Sequence, residues 1–181
     1  PVSPNPMTAA INRIKPVDNA HGHGLVHISL KNPVVMLADV NHALQLFSCQ
    51  AQSLEGAVEI IAGLSGDLAR QGAAEKTNYS FLQAFSRGYA QLAAQLGTIL
   101  PSTTDKFAPY VACEEKSCFV DWIDLYYDCA LTRQGITLVD TPGADSINER
   151  HTGVAFDFIK NSDAILFVTY YNHAFSKADR E

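Results

Sequence analysis

The 181-residue sequence predicts an α/β fold with parallel strands and a helical segment, and three observations carry that expectation. Gly135 to Asp140 is a short apolar run that stops at an Asp, with Thr141, Pro142 and Gly143 following at once. Ala164 to Tyr170 is a second apolar run, and a stretch of helical period over 148–161 lies between the two. From Pro33 to Leu100 the apolar residues recur at helical spacing. A strand–helix–strand order such as that of 135–170 is a βαβ-like crossover, which makes its two strands parallel.

Taken in order, residues 1–10 are Pro-rich and read as extended, because residues that precede prolines avoid the helical region. Ala9 to Ile14 reads as a short strand or a helical turn. His21 to Gly24 is a turn, and Leu25 to Leu30 alternates apolar and polar like a half-buried strand. This strand is expected to run antiparallel beside 135–140. Leu37, Val40, Leu44 and Phe47 begin a helical stripe that Leu54, Val58, Ile61 and Leu68 continue, with a break at Gly66 to Gly72. Leu82, Phe85, Tyr89, Leu92, Leu96 and Ile99 form a second seam, which Pro101 ends. Residues 33–100 are therefore expected to be a helical insertion folded as a hairpin or small bundle.

Residues 101–115 read as a connector with room for a short strand, Pro109 to Cys113. Phe119, Trp122, Ile123 and Tyr126 sit at i, i+3, i+4 and i+7, which predicts an amphipathic helix over Ser117 to Tyr127. Ile136, Leu138 and Val139 suit a strand buried on both faces. Ile147, His151, Val154, Ala155, Phe158 and Ile159 share one face of the helix expected over 148–161.

Apolar residues make up 47% of the chain and charged residues 18%, a globular and not a disordered composition. The net charge is −6, so no global basic field draws the chain to nucleic acid or anionic lipid. The unbroken apolar runs fall far short of the ~20 residues of a membrane helix. Nothing reads as a secretory signal. Cys49, Cys113, Cys118 and Cys129 form no Cys-x-x-Cys pair and read as reduced structural thiols. His21 and His23, with His27 nearby, lack a third ligand at metal spacing and read as loop residues. The chain begins Pro-Val and stops in Ser176 to Glu181, which looks like the opening of a helix with Ser176 as N-cap. A fragment of a longer protein is expected.

The chemistry concentrates at Asp140. It falls at the carboxyl end of its strand, where open α/β sheets bind ligands, and Pro142 and Gly143 turn the chain there. An Asp-x-x-Gly nucleotide motif is built this way. The carboxylate helps hold Mg²⁺, often through water, and the Gly amide approaches the terminal phosphate without side-chain obstruction. The same four residues also fit a strand that ends in an ordinary turn, and the residues around them weigh between the two.

Those residues are Asp128-Cys-Ala-Leu-Thr-Arg133, Leu138-Val-Asp-Thr-Pro-Gly-Ala-Asp-Ser-Ile-Asn148, Arg150-His-Thr-Gly-Val-Ala-Phe156 and Phe167-Val-Thr-Tyr-Tyr-Asn-His-Ala-Phe-Ser176. Through them Tyr126 to Glu181 closely resembles the bacterial dynamin-like GTPases. Asn5-Pro-Met-Thr-Ala-Ala10 resembles the family's switch I more weakly, with Met7 in place of a first Thr, so that Thr8 is the better match. The resemblance implies a partial P-loop GTPase domain over 1–181, with 33–100 inserted in it. Its sheet would be mostly parallel and would lack its P-loop strand, which in such domains lies between the strands at 135–140 and 164–170. No Gly-x-x-x-x-Gly-Lys-Ser/Thr occurs in the chain, and the base-reading motif is absent.

The resemblance also implies roles. Asp140, Thr141, Pro142 and Gly143 would bind nucleotide, Thr8 would be catalytic, and Thr8 and Asp140 would serve Mg²⁺, with GTP as substrate. Asp145 and Arg150 would lie in a switch-like segment. Ala144 stands where Ras-like enzymes place a water-orienting Gln, a departure that fits dynamins. The parent would form homodimers or oligomers through its GTPase domains and act on membranes through parts outside this chain, with no nucleic acid partner. It would sit in the cytoplasm, peripheral at the inner face of the cell membrane. The alternatives are another P-loop GTPase of septation or translation type, and a non-catalytic assembly module working through the helices at 33–100.

Overall fold

A computed structural model describes residues 10–64, 72–140 and 160–166. Five strands form one sheet: β1 (Ile11–Lys15), β2 (Leu25–Leu30), β3 (Ile99–Thr103), β4 (Val120–Tyr126) and β5 (Leu138–Asp140), in the order β3-β2-β4-β1-β5. The helices are α1 (Pro33–Gln45), α2 (Leu54–Gly63), α3 (Ala73–Leu92) and two single turns, α4 (Pro109–Ala112) and α5 (Glu114–Ser117). The fold is α/β, but the described sheet is mixed and not mostly parallel. Only β1 and β4 pair in parallel, while β1–β5, β2–β3 and β2–β4 are antiparallel.

Local chemistry starts α1 and α2. The Asn32 side chain accepts from the Val35 amide at 2.9 Å, and Pro33 stands in the first turn, where its lack of an N–H costs nothing. Ser53 caps α2 by accepting from the Gly56 amide at 3.0 Å. Met36, Val40 and Leu44 of α1, Ala57 and Ile61 of α2, and Leu82 and Phe85 of α3 are buried with Val26, Ile28, Leu30, Phe119 and Ile123 in one core. The helices therefore share their apolar faces with one face of the sheet.

Several expectations from sequence are corrected here. Ser117 to Tyr127 is not an amphipathic helix; most of it is β4, with β2 on one side and β1 on the other. Val120, Trp122, Ile123 and Tyr126 are residues that favour strands. Ile123 is buried on one face, and Asp124 and Tyr126 on the other, so the alternation that marks a strand is lost and a helical spacing appears by coincidence. The second seam does not run helically to Ile99. Helix α3 ends at Leu92, a 3₁₀ turn follows, and Gly97 at φ +77° redirects the chain into β3. Pro101 lies inside β3, at an edge of the described sheet, where a residue without an N–H is tolerated. Pro109 to Cys113 is not a strand either, since Pro109 opens α4.

The strand at 25–30 forms as expected, but it does not lie beside 135–140. Its neighbours are β3 and β4, and the strand antiparallel to β5 is β1. The run at 135–140 yields only Leu138–Asp140 as strand, and it is not buried on both faces: Ile136 and Val139 are exposed. Gly135, at φ +81°, closes a 3₁₀ turn and delays the strand. Residues 164–166 carry no strand. Residues 167–170, and 148–159 of the expected helix, lie outside the described residues.

Candidate functional site

Asp140 is the last residue of β5 and stands directly opposite Asn12 on β1. Its carboxylate is exposed and has no hydrogen-bond or ion-pair partner among the described residues. An exposed, unengaged carboxylate at a strand end is a hard oxygen donor of the kind Mg²⁺ prefers, so the one described member of the expected metal pair fits that ion. Thr141, Pro142 and Gly143, which follow it, lie outside the described residues, as do Thr8, Ala144, Asp145 and Arg150.

Asn12 is the cross-strand partner of Asp140. The antiparallel pairing of β1 with β5 thus puts the start of β1 and the end of β5 at the same end of the sheet. Sequence reading did not single out Asn12. The signal was an amide inside the otherwise apolar and basic strand Ile11-Asn-Arg-Ile-Lys15, with Ile123 on one side and Asp140 on the other.

The same end holds a buried ion pair. Lys31, just after β2, meets Asp39 of α1 at 3.0 Å, with both side chains almost fully buried. The Lys31 amide donates to the Phe119 carbonyl at 2.8 Å, and its carbonyl accepts from Gly97. Asp121 of β4 lies within their electrostatic reach. Burial raises its pKa, with Asp39 adding to the rise and Lys31 and Arg13 opposing it.

The opposite face of the sheet and the loops at its far end hold further ionic and aromatic groups. Arg13 donates to Asp124 through Nε at 2.5 Å and Nη2 at 2.8 Å, and its guanidinium lies 5.3 Å from the Trp122 ring centroid. His21 stacks on Tyr126 at 4.2 Å, and its Nδ1 lies 2.8 Å from Asp18, whose carboxyl this contact holds below its usual range. His23 Nδ1 accepts from the Asp128 amide at 3.0 Å. Arg133 grips Asp128 through two nitrogens and lowers its pKa. The loop histidines are thus engaged with aromatic rings, a carboxylate and the backbone, far along the strands from Asp140. All four cysteines are free thiols, and burial pushes Cys118 up to about 12. Among the described residues no helix is long and apolar enough to cross a membrane.

Comparison with known proteins agrees with the family resemblance. The Dynamin family model matches residues 1–181. Dynamin-like protein A of Bacillus subtilis (strain 168) is 36% identical over 189 residues, covering 99% of this chain and 15% of that protein. The uncharacterized protein in the xynA 3' region of Caldicellulosiruptor sp. (strain Rt8B.4) is 31% identical over 62 residues, 34% of this chain and 15% of that protein. The chain therefore spans about 15% of the length of each curated relative. With the family model matched end to end and Asp140 at the strand end its motif requires, the chain belongs to the dynamin family.

Proposed function

We propose that this chain is part of the GTP-binding and GTP-hydrolysing domain of a dynamin-like protein, with the helices of 33–100 inserted in it. One observation carries the reading. Asp140, in its Asp-Thr-Pro-Gly context, ends β5 opposite Asn12, at the end of the sheet where β1 begins. Asp140 and the Thr8 hydroxyl would hold Mg²⁺, whose charge offsets that developing on the β- and γ-phosphate oxygens. Thr141, Pro142 and Gly143 would bind nucleotide, with the Gly143 amide meeting the terminal phosphate without side-chain obstruction. Thr8 would also orient the attacking water through its backbone.

The whole protein would dimerise or oligomerise through these domains. It would use the GTP cycle to remodel, tether or fuse membranes, from the cytoplasm at the inner face of the cell membrane. The family match supports GTP as the substrate class; membrane action is carried over from the family and rests on no residue described above. In the full-length protein, Asp140→Asn should cut Mg²⁺-dependent GTP hydrolysis by at least about tenfold, the lower bound seen even for outer-shell metal partners. The melting temperature should stay near that of the parent, because the side chain is exposed. Hydrolysis at the parental rate would discard the motif reading. Thr8→Ala should slow turnover too, and an unchanged rate there would remove only the switch I assignment.

A further inference from the structure

The stretch Asp128-Cys-Ala-Leu-Thr-Arg133 stands out in the sequence, and the site reading leaves it without a role. It folds as a turn between β4 and β5. The Thr132 hydroxyl accepts from the Cys129 amide at 3.0 Å and donates to the Tyr127 carbonyl at 2.5 Å. Arg133 holds Asp128 through Nε at 2.6 Å and Nη2 at 2.9 Å. The turn closes on Gly135 and leads into β5, the strand that ends at Asp140. Against it lies the loop between β1 and β2. The backbone tie between the two regions ends where the Gly24 amide donates to the Tyr126 carbonyl at 2.8 Å. Beyond that point, among the described residues, one hydrogen bond joins the loop at 16–24 to the turn at 128–134: the Asp128 amide donates to His23 Nδ1 at 3.0 Å. The His23 ring also lies 4.5 Å from the ring of Tyr127.

The direction of that bond fixes the state of the ring. A backbone N–H can only donate, so Nδ1 offers its lone pair, and the imidazole is neutral with its proton on Nε2. A second proton goes to Nδ1. Both ring nitrogens are then donors, and the Asp128 amide loses its acceptor. Histidine is the side chain whose ordinary titration falls between pH 5 and 8. The titratable and charged groups around His23 are Tyr127 at the end of β4, Asp128, Cys129 and Arg133 of the turn, and Asp18 and His21 of its own loop. Asp18 and His21 are engaged with each other at 2.8 Å. Arg133 holds the Asp128 carboxyl below its usual range, so that group stays ionised across the histidine window. Because Arg133 already grips it through two nitrogens, an imidazolium gains there only an exposed, screened attraction, which is worth little. We propose that His23 is a proton-operated latch: neutral, it fastens the Asp128–Arg133 turn to the β1–β2 loop, and protonated, it lets the turn go. The release loosens the lead-in to β5 from the far end of the sheet.

The test is amide hydrogen exchange of the full-length protein, read by mass spectrometry on the peptide covering 127–135. Protection is taken relative to the intrinsic exchange rate at each pH. In the parent, protection should fall about threefold between pH 7.5 and pH 5.5, the loss of one exposed hydrogen bond. His23→Asn places an amide oxygen at the branch where Nδ1 stands and takes up no proton, so its protection should stay at the parental pH 7.5 level at both values. His23→Ala removes the acceptor and should show the low protection at both. Parental protection that does not change with pH would overturn the latch. So would a His23→Asn variant as pH-dependent as the parent, since the proton would then act elsewhere. A His23→Ala variant as protected as the parent at pH 7.5 would overturn it too, because the bond would then fasten nothing.

Discussion

Asp121 shows how a single carboxylate sets a pH dependence in this fold. It is half-buried on β4, beside the buried Lys31–Asp39 pair, and burial outweighs the attraction of Lys31 in raising its pKa above 3.8. A carboxyl whose folded pKa is raised binds its proton more tightly when folded. Its favourable contribution is complete below the unfolded pKa and is lost as pH rises through the folded one. At neutral pH the ionised Asp121 is therefore a net cost. Asp121→Asn should raise the melting temperature at pH 7, and the gap should close as pH falls below about 3.9, the ordinary carboxylate value. A melting temperature lowered at pH 7 would mean that attraction to Lys31 outweighs desolvation. The Lys31–Asp39 pair is the contrasting case. Both partners are buried and bonded at 3.0 Å, so Asp39→Leu should cost about 3–5 kcal/mol by leaving a buried ammonium behind. Chemical denaturation of that variant gives the check.

At the scale of elements, one glycine sets how closely two helices approach. A Cβ at Gly88 in α3 would fall 2.0 Å from the Glu115 carbonyl oxygen of α5 and 2.7 Å from the Phe119 ring. Alanine gains about 1 kcal/mol over glycine in helix propensity. Overpacking costs typically about 1–3 kcal/mol and more against backbone, so the clash should win. Gly88→Ala should lower stability by about 2 kcal/mol or more in a denaturant titration, and an unchanged midpoint would show that α5 retreats freely. The helical character of α1 and α2 was legible in sequence because their stripes are one-sided, but the break between Gln45 and Leu54 was not, although the Ser53 cap that starts α2 is local. β4 was not legible, because it is covered on both faces and so carries no alternation. The ends of α3 and the start of α4 turned on Gly97 and Pro109, whose effect depends on backbone conformations that spacing alone does not specify.

Across the whole molecule, the groups of the two sheet ends differ in how they could be read. Asp140 and its Thr-Pro-Gly context were visible because a strand that ends in a carboxylate and a turn is a local pattern. The strand order was not visible, since it depends on pairings between residues as distant as Arg13 and Asp124, 111 positions apart. The resemblance implied a mostly parallel sheet, yet a single parallel pairing, β1 with β4, lies among antiparallel ones in the described part. The site is likewise divided along the chain. On the proposed reading its cation carboxylate and γ-phosphate amide would come from Asp140 and Gly143, while the pattern that supplies most phosphate contacts, Gly-x-x-x-x-Gly-Lys-Ser/Thr, does not occur in the 181 residues. Asp140 and Gly143 can add only a few of the contacts that hold a triphosphate, and a carboxylate repels the phosphates when no cation lies between them. The 181-residue chain alone should therefore bind GTP no more tightly than about 1 mM, some 4 kcal/mol, in calorimetry with Mg²⁺ present. Micromolar binding by this chain would mean that the end of the sheet around Asp140 holds phosphates by itself, and that the division of the site is wrong.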